Sequence, residues 1–241
     1  MEIYKKQTLA ETFSVYFDRR MIKILLLGAI SGFPWVIIGS SLSLWLKEDG
    51  LSRSTIGWAG LIFAVYAFNY LWAPIIDRVR IPWLTQKVGH RRGWIVSMQI
   101  VILISLICWS LINPTTNLAL VISIGLIIAV ASATQDITVD ALRIEQIDEH
   151  EGKSMQAGAA MAVVGWWTGY KLGGVIALNV AEFFELSGFE NYWQITFLVL
   201  GVVIIACNIG LMFIHEPHPT DRKASQARTD NLIENKLGSS N

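Results

Sequence analysis

Six apolar runs, each long enough to cross a bilayer, alternate with short polar connections along this chain. They cover residues 21–46, 54–76, 93–112, 117–141, 155–181 and 192–214. A hydrocarbon core takes about 20 mainly apolar residues per helix. Strands are excluded, because an open sheet leaves its edge groups unpaired in lipid. The pattern predicts an all-α integral membrane protein whose six transmembrane helices form one bundle over 21–214. The segment 1–20, with the amphipathic stretch "TLAETFSVYFDRR" at 8–20, reads as an N-terminal interfacial segment. The polar stretch 215–241 reads as a disordered tail or the start of a central loop.

The placement of charge sharpens this picture. Only 16% of the 241 residues are charged and 53% are hydrophobic, against about 25% charged in a soluble domain. Sixteen of the nineteen Lys and Arg lie before or at the start of the first run, in the second and fourth connections and after the sixth. Lys47 and Arg53 stand alone on the opposite side, and Lys171 lies within the fifth run. Positive charge stays cytoplasmic, so both termini are expected there. Trp45, Trp58, Trp109 and Trp193 fall at the outer helix ends, and Trp72, Trp83 and Trp94 at or near the inner ones, as interfacial anchors would.

Zero net charge gives no reason to expect nucleic acid. Cys108 and Cys207 sit inside apolar runs, and four scattered histidines form no metal set. The sequence contains none of the strings that carry nucleophilic, metal-hydrolytic or nucleotide chemistry. An enzyme is not expected, nor a cofactor or a metal.

Polarity within the runs is uneven. The third and sixth are bland. The first carries "SGFPW" at 31–35, the second Asn69, the fourth "SATQDITVDA" at 132–141 and the fifth "GWWTGYKLGG" at 165–174. Intramembrane ionisable residues usually face a polar cavity. Asp136 lies about 10 Å beyond the middle of its helix and Asp140 one turn further, on the same face. Asp136 suits a proton or cavity role and a structural pair equally, with Gln135 adding hydrogen-bonding groups. Asp140 reads first as a helix-end acid. Lys171, about 24 Å from the cytoplasmic end, reads as a cavity cation for an anionic solute, the alternative being a snorkelling lysine. Trp166 and Tyr170 share a face that suits sugar rings or plain packing, as does the deep Trp35. Pro34 removes a backbone bond and Gly32 permits close approach, which fits a cavity helix or a structural kink.

The most specific stretch is "APIIDRVRIPWLTQKVGHRRGW" at 73–94. Asp77-Arg78 and Gly89-His-Arg91-Arg92 resemble the major facilitator loop signature, with Ala73 where glycine is usual and residues 79–88 inserted. Together with "NYLWAPIIDR", "SATQD", "SGFPW", "GYKLG" and the "VYFDRR" lead-in, this resembles the AmpG-type muropeptide permeases over about residues 8–217. Asn69 stands where a lysine is common in better-known members of the family.

The resemblance implies a proton-coupled importer of anhydro-muropeptides across the bacterial inner membrane, serving cell-wall recycling. Its partners would be an anionic small molecule, protons and the lipid bilayer. It also implies a cytoplasmic gate, in which Asp77, Arg78, Arg91 and Arg92 pair with Asp140, leaving Gln135, Asp136, Lys171, Tyr170, Trp166, Trp35, Gly32 and Asn69 along the substrate and proton path. Facilitators have twelve or more spans in two halves. Six spans therefore match one half of a facilitator-type bundle, expected to be an incomplete N-terminal half completed by a second six-helix half that is fused, separately encoded or a second copy. A non-transporting scaffold or assembly partner, and a facilitator for another anionic solute such as acetyl-CoA, are the competing readings.

The orientation is testable by labelling. With Cys108 and Cys207 replaced by serine, a cysteine at Thr115 should react with an impermeant maleimide in intact cells. A cysteine at Gln86 should react only after lysis. The opposite pattern would invert the topology.

Overall fold

The computed structural model describes residues 14–147 and 152–216, so the expectations placed on 1–13 and 217–241 lie outside the described residues. A 3-10 turn at Val15–Phe17 and eight longer helices are described, with no strand among the described residues. They are α1 (Arg19–Glu48), α2 (Arg53–Leu71), α3 (Ala73–Arg78), α4 (Leu84–Val88), α5 (His90–Ser110), α6 (Leu118–Glu145), α7 (Gly152–Leu186) and α8 (Tyr192–Met212). Five of them, α1, α2, α5, α6 and α8, are long and apolar enough to cross a membrane. The 35-residue α7 is long enough, but its central Trp-Trp-Thr-Gly-Tyr-Lys segment dilutes its apolar character.

The chain turns at Asp18, whose backbone is extended, and α1 begins at Arg19. Asp18 caps it: its carboxylate accepts from the backbone N–H of Arg20 and from the Arg20 guanidinium, each at 2.9 Å. These bonds hold the Asp18 carboxyl below the usual carboxylate range. A lowered folded-state value means that this cap is fully formed at neutral pH and is lost as pH falls through that range.

Within α1 the α-helical pattern passes through Pro34 and then relaxes into a single π-turn at Ile37–Ser41. A proline and a π-turn in sequence are recognised causes of helix bending. The second helix is irregular for a similar reason. It starts from Ser52, which accepts from the Thr55 N–H at 3.2 Å. It then tightens into 3-10 geometry at Gly60–Phe63 and again at Asn69–Leu71. What reads in sequence as one run over 54–76 is thus α2, a turn at Trp72 and the short α3, whose first turn carries Pro74. The inserted residues 79–88 include the one-turn helix α4.

The centre of the bundle is the crossing of α1 and α7, the most intimate helix pair in the fold. Small residues let the two backbones touch. A methyl group added at Gly28 would meet the Ala162 carbonyl, and one at Gly32 the Trp166 carbonyl. In the other direction, Gly165 faces the Leu25 carbonyl and Gly169 the Ala29 carbonyl. Spacing of four places each glycine one turn from the next, so the contact runs along a stripe. Around this pair, α6 packs on α1 and α5, and α8 packs on α5 and α7.

Three of the four tryptophans read as outer interfacial anchors are in fact core. Trp45 and Trp109 are fully buried and Trp193 nearly so. They meet around Phe197, with ring centroids 4.9, 5.1 and 5.9 Å from it. The Trp109 indole N–H donates to the Val121 carbonyl at 3.1 Å, and that of Trp193 to Glu48 at 2.5 Å. A buried indole needs such a partner, and here the partners join α1, α5, α6 and α8. Only Trp58, 70% exposed, retains the position expected of an anchor.

Overpacking the crossing should be costly. Gly169→Val should lower stability by about 1–3 kcal/mol, read as a drop in the thermal midpoint of the detergent-solubilised protein. Gly174→Ala, on the same helix with no atom near the added methyl, should leave it unchanged. Equal effects would mean that the close approach is not what holds the pair.

Candidate functional site

Pro34 has no N–H to give to the carbonyl four residues back, that of Ile30. The Gln135 side-chain amide from α6 fills the gap, donating to the Ile30 carbonyl at 2.9 Å. Gln135 is fully buried there. The next residue, Asp136, is thereby set against the same turn of α1. Its Oδ1 accepts from the Ser31 hydroxyl and its Oδ2 from the Trp35 indole N–H at 3.4 Å. The motifs "SGFPW" and "SATQD" therefore form one unit across two helices. Thr134 extends it: its hydroxyl donates to the Val130 carbonyl at 2.8 Å and accepts from the Trp72 indole at 3.1 Å.

Asp136 is half-buried, and among the described residues no cation lies within ion-pair distance of it. It opens onto a cavity of about 390 Å³ bordered by Gly28, Ser31, Trp166, Asp140 and Arg143. That cavity runs towards the end of the bundle that carries the 73–94 loop. Asp140, 67% exposed, pairs there with Arg143 of its own helix at 3.2 Å.

On the other side of Trp35 lies an aromatic box. The Trp35 ring is 4.4 Å from Tyr66, 5.1 Å from Phe63 and 5.6 Å from Trp166, edge-on to the last. Trp166 stacks nearly parallel on Tyr170 at 5.6 Å. Lys171 follows, its ammonium 5.8 Å from the Trp167 ring and 5.9 Å from the Tyr170 ring. It is exposed and pairs with no carboxylate among the described residues, and it makes no bridge to Asp136. Gly32 lies at the contact with the Trp166 carbonyl and so sets the height of that ring over α1. Asn69 sits half-buried where α2 tightens and makes no side-chain hydrogen bond among the described residues.

The loop charges take partners other than those expected. Arg91 binds Asp77 at 2.5 Å and Glu145 at 3.4 Å. The acid that joins the loop to α6 is thus Glu145 and not Asp140, because Asp140 is held by Arg143. Arg92 reaches the Met212 carbonyl at 3.4 Å, and Arg78 is exposed. Glu216, beyond α8, accepts from the backbone N–H groups of His90, Arg91 and Arg92 at 2.9–3.0 Å. An acid at a helix N-terminus satisfies donors that have no partner in the helix. Sequence reading passed over the roles of Ser31, Phe63 and Tyr66, and took Trp72 for an interfacial anchor, whereas its indole donates to Thr134. Of these, Ser31 stood inside a quoted motif one turn before Trp35, and only its spacing signalled it.

A sequence profile of the Major Facilitator Superfamily matches residues 24–237. The chain belongs to that superfamily. It is 33% identical over 202 residues to the putative transporter AmpG 4 of Rickettsia felis, covering 84% of this chain and 47% of that protein. It is 30% identical over 207 residues to the anhydromuropeptide permease of Escherichia coli K12, covering 86% of this chain and 39% of the permease. With the putative transporter AmpG 3 of Rickettsia typhi it shares 32% identity over 222 residues. The chain spans about half the length of the curated relatives it matches.

The Pro34–Gln135 pairing predicts a coupling. Gln135→Ala should cost about 1–3 kcal/mol by leaving the Ile30 carbonyl unpaired. In a Pro34→Ala background, which restores the N–H, the same change should cost about 1 kcal/mol less. Strict additivity in thermal melts would show that Gln135 does not serve the proline gap.

Proposed function

We propose that this facilitator chain supplies the proton site and one wall of the binding cavity of an AmpG-type importer of anhydro-muropeptides. The observation that carries the reading is Asp136. It is a carboxylate set inside the bundle, held by two neutral donors, without a countercharge among the described residues. Such a group can exist charged or protonated without rearranging a salt bridge. That is what a proton carrier requires, and what a structural ion pair would prevent.

Substrate class follows from the neighbouring surface. Trp35, Trp166 and Tyr170 present faces of the kind that stack on sugar rings, and Lys171 adds a cation beside them. A disaccharide with an acidic peptide would use both. The relative in Escherichia coli is named for anhydromuropeptides and supports the same class. The long exposed rows of α2 and α7, including Leu61, Tyr70, Val163 and Trp167, would close against a second six-helix bundle. The assembly would lie in the bacterial inner membrane with both termini cytoplasmic, following the bias of Lys and Arg. In that orientation the Asp136 cavity faces the cytoplasm, and the Arg91–Asp77–Glu145 cluster, with Arg78 and Arg92 beside it, forms the gate. Asp140 and Arg143 guard the mouth of the cavity.

The test is uptake of a labelled anhydro-muropeptide into membrane vesicles under an acid-outside gradient. Asp136→Asn should reduce gradient-driven accumulation by about tenfold or more, within the usual range of coupling free energies, while exchange at equal pH persists. Undiminished accumulation would remove Asp136 from the proton path. Absence of any uptake by the unaltered protein would favour a scaffold.

A further inference from the structure

We propose that Trp35 is the positioning residue that couples ligand in the aromatic box to the protonation of Asp136. The inference rests on the reading of Asp136 as the proton site, and adds the element that links it to the solute.

Trp35 belongs to both places at once. Its indole N–H donates to Asp136 Oδ2, while its ring forms one side of the box with Tyr66, Phe63 and Trp166. Along α1 it is the only residue from Ser31 to Ile38 that is not buried. Its ring is therefore the part of this stretch of α1 that a stacking ligand can reach. The two bonds to the carboxylate are unequal. The Ser31 hydroxyl sits behind Oδ1 on a buried stretch of helix. The Trp35 bond, at 3.4 Å, is at the long end of the hydrogen-bond range, so a small rotation of the indole releases it.

The consequence has a definite sign. Without ligand, the indole N–H stabilises the carboxylate form of Asp136. A ligand that stacks on the indole draws it away, and the carboxylate loses one of its two donors. The group then takes a proton from water on its open side and becomes a neutral acid that can donate to Ser31 or to the cavity. Ligand and proton therefore bind with positive cooperativity, and by linkage each tightens the other. That is the thermodynamic requirement for carrying both in one direction.

Other titratable groups near Asp136 do not link it to the box in this way. Asp140 and Arg143 share its cavity from α6, two charges paired with each other. Tyr66 approaches from α2, where its ring packs on Trp35. The α7 residues that line the cavity carry no charge.

The experiment uses the protein expressed from its native gene and an anhydro-muropeptide as the probe. Binding is measured by calorimetry across the pH range, together with proton uptake on ligand addition in weak buffer. The unaltered protein should bind more tightly as pH falls, by up to about tenfold per pH unit for one proton, and should take up protons on binding. Trp35→Phe, which keeps a ring and loses the N–H, should still bind but vary by no more than about twofold over the same interval. Its gradient-driven uptake should fall to the level of exchange. Ser31→Ala removes the other donor and should move the midpoint of the pH dependence while leaving the coupling intact. If Trp35→Phe keeps the full pH dependence while Asp136→Asn loses it, the role of Trp35 is overturned and Asp136 stands. If Asp136→Asn itself keeps the pH dependence, the proton reading fails and this inference with it. Proton uptake by the unaltered protein does not depend on any variant folding, and its absence, or proton release, would overturn the proposal.

Discussion

Along about two turns of α1 its backbone lies directly on that of α7, with glycine hydrogens where side chains would otherwise stand. Gly28 and Gly32 on one helix and Gly165 and Gly169 on the other meet carbonyl groups of the partner. In lipid there is little hydrophobic gain in bringing two apolar helices together, so close backbone contact and packing must supply the association. The contact also fixes register. With Gly32 against the Trp166 carbonyl, the Trp166 ring is edge-on to Trp35, and Tyr170, one turn on, completes the stack. A bulkier crossing would hold the same aromatic residues too far apart to form one surface.

The second constraint comes from a missing hydrogen. Pro34 leaves a carbonyl of α1 without its helical partner, inside a bundle where water is scarce. Gln135 repairs it from α6. The repair places Asp136 between Ser31 and Trp35, so a defect in one helix determines the position of the ionisable group in another. Polar residues inside a membrane bundle are costly unless satisfied. Here a single exchange of donors satisfies the backbone and seats the carboxylate. The bundle thus gains a site whose geometry follows from helix chemistry rather than from a loop.

Much of this was legible from the chain. Length and hydropathy marked the long helices, five of which can cross a membrane, because a span of lipid demands a long uninterrupted run. The motifs at 31–35, 132–141 and 165–174 stood out because polar residues interrupt such runs. What the pattern did not show was which polar group meets which. Hydropathy is blind to a glycine stripe, although Gly28 and Gly32, and Gly165, Gly169 and Gly173, stand at the spacing of four that a helix contact uses. The irregular turns of α1 and α2 are set by tertiary packing as much as by composition. The tryptophans at helix ends follow the interfacial rule by position, yet Trp45, Trp109 and Trp193 pack on Phe197, and the indole N–H groups of Trp109 and Trp193 find acceptors inside. Asp140 and Glu145 were equally available to the loop arginines by charge. Only geometry separated them, since Arg143 sits three residues from Asp140 and holds it on its own helix.

In the proposed cycle the Asp136 carboxyl changes protonation when the solute binds. Infrared difference spectroscopy reads this directly. The protonated-carboxyl band of Asp136 is assigned by its loss in Asp136→Asn, then followed at fixed neutral pH with and without an anhydro-muropeptide. The band should grow when the ligand is added, and the matching carboxylate bands should decline. A carboxylate signal that stays unchanged as the ligand saturates its site would contradict it.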